Sequence, residues 1–223
     1  MLSTLHAIWQ ADGAYPSGAF AFSYGIEGAI ALRPEMSLLD FERLVAAMLR
    51  QRWASFDRVA MLRGFRARGD LAEIAAVDRE VEVSTLIEAL RTGSRRNGGS
   101  FLASHARLGA PLAITLRDAV KRGECSGHIA VMQGAVWSAL GLDEGLAQLC
   151  SGYTAVSGVI TAAIRLGAVG ALQGQGVLQR CLPLIEQLTI QDTLDDVELS
   201  SFAPFLDIAA ARHAQADLRL FAN

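Results

Sequence analysis

Lysine is nearly missing from this chain: Lys121 is the only one, and the other nineteen of the twenty basic residues are arginine. That bias has two readings, a coding preference of the source or the enrichment of arginine at protein interfaces. Cysteine is scarce too. Cys125, Cys150 and Cys181 are odd in number and lack C-x-x-C spacing, which excludes a disulfide framework and makes reduced, cytosolic thiols the expectation. Asp12 arrives before any long apolar run and no basic stretch precedes it, so a secretory signal peptide is not expected. Positive charge is not in excess: the formal net charge is −3, a field that does not favour nucleic acid. Strand signals are few; Glu80-Val81-Glu82-Val83 alternates but is short and flanked by helix formers.

What the chain has in quantity is apolar helix. Hydrophobic residues make up 52% of its 223 residues and charged ones only 19%, and a chain of that length can bury about 70% of its unfolded surface. Ser37 with Asp40 three residues on reads as a helix N-terminus, followed by Leu38, Phe41, Leu44, Val45, Met48 and Leu49 at three- and four-residue steps. Trp53, Phe56, Val59 and Ala60 extend the pattern toward Gly64, and Asp70 caps a further helix through Leu71, Ile74 and Val77. Pro111 opens one that stops at Gly123. Ile129 to Leu140 and Leu146 to Leu166 read as buried helices broken at Gly141-Leu142-Asp143. Gly167, Gly170, Gly174 and Gly176 predict a break, with the next helix running from Val177 to Leu188 and Pro183 kinking it or starting a new turn. With no repeat, low-complexity tract or linker in view, the pattern predicts an all-α single domain over 1–223, a bundle of roughly eight to eleven helices.

Gly145 to Ile164 carries no charge and is long enough to span a bilayer. It also contains Gln148, Ser151, Tyr153, Thr154, Ser157 and Thr161, and lacks flanking aromatic belts and a charge asymmetry. A central buried helix is expected there, and no membrane.

Three stretches carry residue types used in catalysis or ligand binding, and each falls short. Gly93-Ser94-Arg95-Arg96-Asn97-Gly98-Gly99-Ser100 approaches a phosphate-binding loop, but Gly99 stands where its lysine would be and no strand precedes it, so a turn exposing Arg95 and Arg96 is expected. Cys125-Ser126-Gly127-His128 places a thiol and an imidazole at metal-ligand spacing; Cys125 and His128 are weak nickel candidates without a second cluster beside them. Ser23, Asp207 and His213 have the chemistry of a hydrolase triad, but no G-x-S-x-G elbow or sheet holds them.

The two ends are more specific. Near the start, Tyr15-Pro16-Ser17-Gly18-Ala19-Phe20-Ala21-Phe22-Ser23-Tyr24-Gly25-Ile26-Glu27 combines a Pro/Gly turn with Ser17 as the cap of a helix from Ala19, which puts Ser23 and Glu27 on one polar stripe. Near the end, Pro204 opens a helix with Asp207 toward its N-terminus and Arg212 and His213 toward its C-terminus, each on the side the helix dipole favours. A tail with Leu218, Arg219, Leu220 and Phe221 follows, and apolar side chains in such a place dock on their own domain or on a partner.

Together these motifs resemble the urease accessory protein UreF family, whose pattern is close to P-[ST]-G-x-[FY]-x-x-S-x-G-[LI]-E early and P-x-x-D-I-x-x-x-x-H with R-[LM]-F late. The matching positions are Pro16, Gly18, Phe20, Ser23, Gly25 and Glu27, then Asp207, Arg212, His213, Arg219, Leu220 and Phe221, with Gly127-His128 before an apolar run as a weaker match between. The residues between His213 and Arg219 depart from the family's acidic and tyrosine pattern. The resemblance implies a cytoplasmic homodimer that is not itself an enzyme and holds no cofactor. It implies two partners, a UreD-type (UreH-type) accessory protein that also contacts the urease apoprotein and a UreG-type GTPase that carries nickel. The matched end positions would then be partner-binding, with a docking tail at about 214–223. A second reading makes the chain a GTPase-activating regulator that inserts Arg95, Arg96 or Glu27 into the GTPase, where a positioned arginine raises hydrolysis by roughly 10³–10⁵.

Overall fold

A computed structural model of the chain describes residues 1–17, 22–191, 193, 197–213 (the His213 side chain aside), 220 and 221. Among these residues the architecture is all-α, with no strand. In chain order the elements are α1 (Leu2–Ala11), α2 (Ile26–Leu32), α3 (Leu38–Met48), a π-helical segment (Leu49–Asp57), α4 (Arg58–Arg66), α5 (Leu71–Ser84), α6 (Glu88–Arg107), α7 (Pro111–Lys121), α8 (Ile129–Ala139), α9 (Glu144–Arg165), α10 (Ala171–Ile190) and α11 (Pro204–His213). The α3, π and α4 segments form one unbroken rod, so the described residues make ten helices, within the expected range.

Helix starts follow the local chemistry. The Ser37 hydroxyl accepts the Asp40 amide at 3.1 Å while the Asp40 carboxylate accepts from the Ser37 backbone, the reciprocal box that opens α3. Asp70 and Asp143 accept two backbone amides each at the starts of α5 and α9. Three expectations about boundaries are corrected. No helix enters α2 at residues 22–25, because Tyr24 (φ +55°) and Gly25 (φ +85°) are left-handed and α2 starts only at Ile26; Ser23 is fully buried beside that turn, not on an α2 stripe with Glu27. The Gly93–Ser100 stretch is interior to α6, not a turn. A methyl group on Gly98 would lie 2.0 Å from the Gly127 carbonyl oxygen, so tight packing against the loop before α8 requires a glycine that local propensity penalises. Finally, α10 begins at Ala171 and runs through Gly174, Gly176 and Pro183. Gln173 accepts the Gly170 amide to start it, and Pro183 lies on the exposed side of the helix.

Two apolar clusters form the interior. One gathers Phe56 from the π-helical segment with Met61, Leu62, Ile74, Phe101, Leu116, Met132 and Trp137 from α4 to α8. The other gathers Ile26, Phe41, Leu49, Trp53, Val159, Val177 and Ile185 from α2, α3, the π-helical segment, α9 and α10. Helix α9 joins them, giving Ala147 and Cys150 to the first and Val156 to Ala163 to the second. By length and composition α9 could cross a membrane, but 56% of its most apolar window is buried inside the protein, as a central packing helix requires. The arginine bias has a structural use at the junction. Arg58, only 3% exposed, donates to Gln148 on α9 at 2.7 Å and to the Gln191 carbonyl after α10. Arg66 forks onto the Glu144 carboxylate at 2.6 and 3.0 Å and reaches the Thr193 carbonyl at 2.7 Å. A lysine's single ammonium could not serve carboxylate and carbonyl in that fixed geometry.

Candidate functional site

The two end motifs meet. Helix α11 lies along α2 and packs closely over Gly25: a methyl group there would sit 3.3 Å from the Leu206 carbonyl oxygen and 3.7 Å from the Ala210 methyl. The left-handed turn at Tyr24 and Gly25 thus aims α2 at α11 and leaves room for it. At the other end of the contact, the Glu27 carboxylate accepts the backbone amides of Leu220 at 2.6 Å and Phe221 at 3.1 Å. Phe221 is 5% exposed, with the Arg165 guanidinium of α9 over its ring at 4.4 Å from the centroid, whereas Leu220 keeps 53% of its surface in water.

Beneath this junction, between the two apolar clusters, lies a cavity of about 160 Å³. The π-helical segment contributes Arg52, Trp53 and Asp57 to its wall, α6 contributes Asn97, and Tyr24 and Asp207 come from the end motifs. Segments of π-helix are frequent at functional sites. Asn97 donates to the Tyr24 hydroxyl at 3.1 Å, and Trp53 donates to Ser151 at 3.0 Å. Burial pushes the Tyr24 phenol up to about 12 against the opposing pull of that Asn97 hydrogen bond, so it stays neutral at physiological pH. Burial likewise raises the Asp207 carboxyl, opposed by the charge of Arg52, which itself binds Asp57 at 3.3 Å.

A second polar centre lies at the start of α8. Buried Asp78 of α5 accepts the backbone amides of Ser126 (2.5 Å), Gly127 (2.9 Å) and His128 (2.8 Å). These amides precede the α8 helix, where a carboxylate is favoured by both hydrogen bonding and dipole. The His128 ring, fully buried, bonds Ser94 through Nδ1 at 3.0 Å and Glu82 through Nε2 at 2.8 Å. Glu82 is also paired with Arg95 at 3.2 Å and Arg91 at 3.5 Å. Its carboxyl is held below the usual range: desolvation pushes it upward, but His128 and Arg95 outweigh that. Burial first, then the neighbouring Asp78 charge, pushes the Cys125 thiol up to about 11. A neutral thiol and an imidazole engaged at both nitrogens make poor metal ligands. Among the described residues no three His, Cys, Asp or Glu side chains come together as a ligand group.

Of the positions singled out in the sequence, Pro16 is exposed, its carbonyl accepting from the Ser104 hydroxyl at 2.5 Å, and Arg212 is exposed near the end of α11. Gly18, Phe20, Arg219 and the His213 side chain lie outside the described residues. Ser23, Gly25, Glu27, Asp207, Leu220 and Phe221 gather around the α2–α11 contact, while Cys125 and His128 belong to the separate centre at α8. Sequence reasoning missed Asn97, Asp78 and Arg165. Arg165 carried a signal, being the charge that ends twenty uncharged residues; Asp78 and Asn97 lie mid-helix with none.

Comparison with known proteins gives the family. The UreF family profile matches residues 38–182, a stretch that excludes both end motifs and so supports the assignment independently of them. The UreF urease accessory protein of Trichodesmium erythraeum is 32% identical over 221 residues, 95% of this chain and 93% of that protein. That of Yersinia enterocolitica is 29% identical over 217 residues, covering 95% and 94%, and that of Bacillus sp. strain TB-90 is 23% identical over 214 residues, covering 94% of each. With its central helices matched by the profile and about 95% of its length by such relatives, the chain belongs to the UreF family of urease accessory proteins.

Proposed function

We propose that this protein is a non-catalytic scaffold of urease maturation. It acts in the cytoplasm as a homodimer, holding a UreD-type (UreH-type) accessory protein and a UreG-type GTPase in register for nickel delivery to the urease apoprotein. The observation that carries this reading is the meeting of the two end motifs around Glu27. Two segments 193 residues apart are joined into one surface element, with an apolar side chain displayed to solvent rather than buried. A leucine held on an ordered backbone offers a partner apolar area to bury at little ordering cost. The competing reading, an inserted catalytic arginine, is weakened by placement. Arg95 lies within α6 and is already bound to Glu82 and Glu88, and Arg96 is on the same helix, not on a projecting loop. Glu27 is engaged by the tail.

The test is removal of residues 218–223. The shortened chain is expected to fold but to lose capture of the UreD-type partner and, in a reconstituted activation assay, urease activity. Burial of a Leu side chain such as Leu220 contributes roughly 1.5–3 kcal/mol, and about 1.4 kcal/mol is tenfold in affinity. Full activation by the truncated chain overturns the tail's role.

A further inference from the structure

We propose that Glu27 and Arg165 are positioning residues for the C-terminal tail: they seat Phe221 on its own protomer and so hold Leu220 outward in a fixed place. This deepens the docking role given to the tail above and rests on it. Three observations carry it. One carboxylate takes both consecutive backbone amides, Leu220 at 2.6 Å and Phe221 at 3.1 Å, so the chain direction at that point is fixed, not merely tethered. The two side chains then diverge, Phe221 into the protein at 5% exposure and Leu220 out at 53%. Phe221 is clamped by the Arg165 guanidinium at 4.4 Å over its ring face, an attraction that strengthens as the ring is desolvated. Glu27 stands in the first turn of α2 and Arg165 closes α9, so the seat is built on two helices and not on a loop.

The consequence is pre-organisation. A partner recess that accepts Leu220 meets a backbone already ordered, and the ordering cost that a free tail would incur at binding is removed beforehand. Positioning, unlike contact, depends on reach as well as charge. Aspartate at position 27 keeps a carboxylate in the first turn of α2 but is one methylene too short to grip both amides.

The experiment uses the full-length protein as Glu27→Asp, Arg165→Gln and Phe221→Leu variants. It reads amide hydrogen exchange at Leu220 and Phe221, exchange along α2, and affinity for a purified UreD-type partner. In Glu27→Asp, protection of the two tail amides is expected to fall about tenfold or more while Gly28 to Leu32 stay as protected as in the parent, and partner affinity to fall about tenfold. Arg165→Gln and Phe221→Leu are expected to share both losses, more weakly. Unchanged tail protection in Glu27→Asp overturns the seat. Lost protection with unchanged or tighter partner binding overturns the positioning role and makes the contact a strap that must open. If deletion of 218–223 leaves partner capture intact, the docking reading fails and the positioning role with it; the exchange data still decide, separately, whether Glu27 holds the tail.

Discussion

Helices α4 and α8 cross through glycine, and the crossing makes a sharp prediction. A methyl group on Gly134 would lie 1.9 Å from the Met61 carbonyl oxygen and 2.8 Å from the Phe65 amide nitrogen. Ordinary contact begins at 3.4 Å, so the two backbones must part by about 1.5 Å to admit an alanine. Neither neighbour is a side chain that can turn aside, and Met61, Val131 and Ala135 around the crossing are fully buried. Overpacking of this kind costs about 1–3 kcal/mol, and rigid backbone on both sides places Gly134→Ala at the upper end, after about 1 kcal/mol of helix propensity is regained. For a chain of this size each kcal/mol moves the melting temperature by about 2–4 °C, so a drop of roughly 6–12 °C is expected. Gly99 supplies the control, since it lies inside α6 with nothing within 4 Å of its would-be methyl. Gly99→Ala gains helix propensity without a clash and should raise the midpoint by about 1–4 °C. Circular dichroism melts of the pair decide the matter: two shifts of the same sign, or a Gly134→Ala midpoint equal to the parent, would refute the close-packing argument.

Further outcomes follow from the same geometry. Burial pushes the His105 imidazole down to about 4. The unfolded ring titrates near 6.5, so on acidification the unfolded chain takes the proton first. Stability should therefore fall between about pH 6.5 and 4, by up to about 1.4 kcal/mol per pH unit, and urea unfolding of His105→Phe should show a flatter acid limb. The isolated protein should bind nickel weakly at most, since the His128 ring is engaged by Ser94 and Glu82; a sub-micromolar calorimetric constant abolished by His128→Ala would contradict this. Light scattering at micromolar concentration should give twice the 23.8 kDa chain mass, because exposed Leu2, Leu5 and Ile8 on α1 and Leu172 and Ile190 on α10 leave apolar surface for a second copy; a purely monomeric mass would count against the homodimer.

The parts of the fold that were legible in the sequence are those decided within one turn of chain. Ser37 with Asp40, Asp70, Pro111 and Gly141 each act on backbone groups two to four residues away, so their helix boundaries follow from spacing alone. The misread parts are those where a distant contact overrules a local preference. Gly93, Gly98 and Gly99 look like a loop until Gly98 is seen packed against the Gly127 carbonyl, a contact that favours the helix more than three glycines disfavour it. Pro183 looks like a helix break, but Ile185 and Leu188 on one side and Val177 and Cys181 on the other belong to one buried stripe that holds α10 together across it.

The site divides along the same line. That Glu27 mattered could be read from its place in a motif, because residue type and spacing are local properties. What it does could not, because its partners are the amides of residues 220 and 221 and lie almost the whole chain away. Gly25 shows the two halves joined. Its left-handed φ of +85° is a local demand that favours glycine, whereas the Leu206 carbonyl oxygen, which an added methyl group would meet at 3.3 Å, makes a tertiary one. Either demand alone disfavours a side chain; together they fix where α2 points and therefore where Glu27 can reach. A substitution at position 25 should thus act on the tail at a distance: Gly25→Ala must shift α11 or the turn, and either movement carries Glu27 away from the amides it binds.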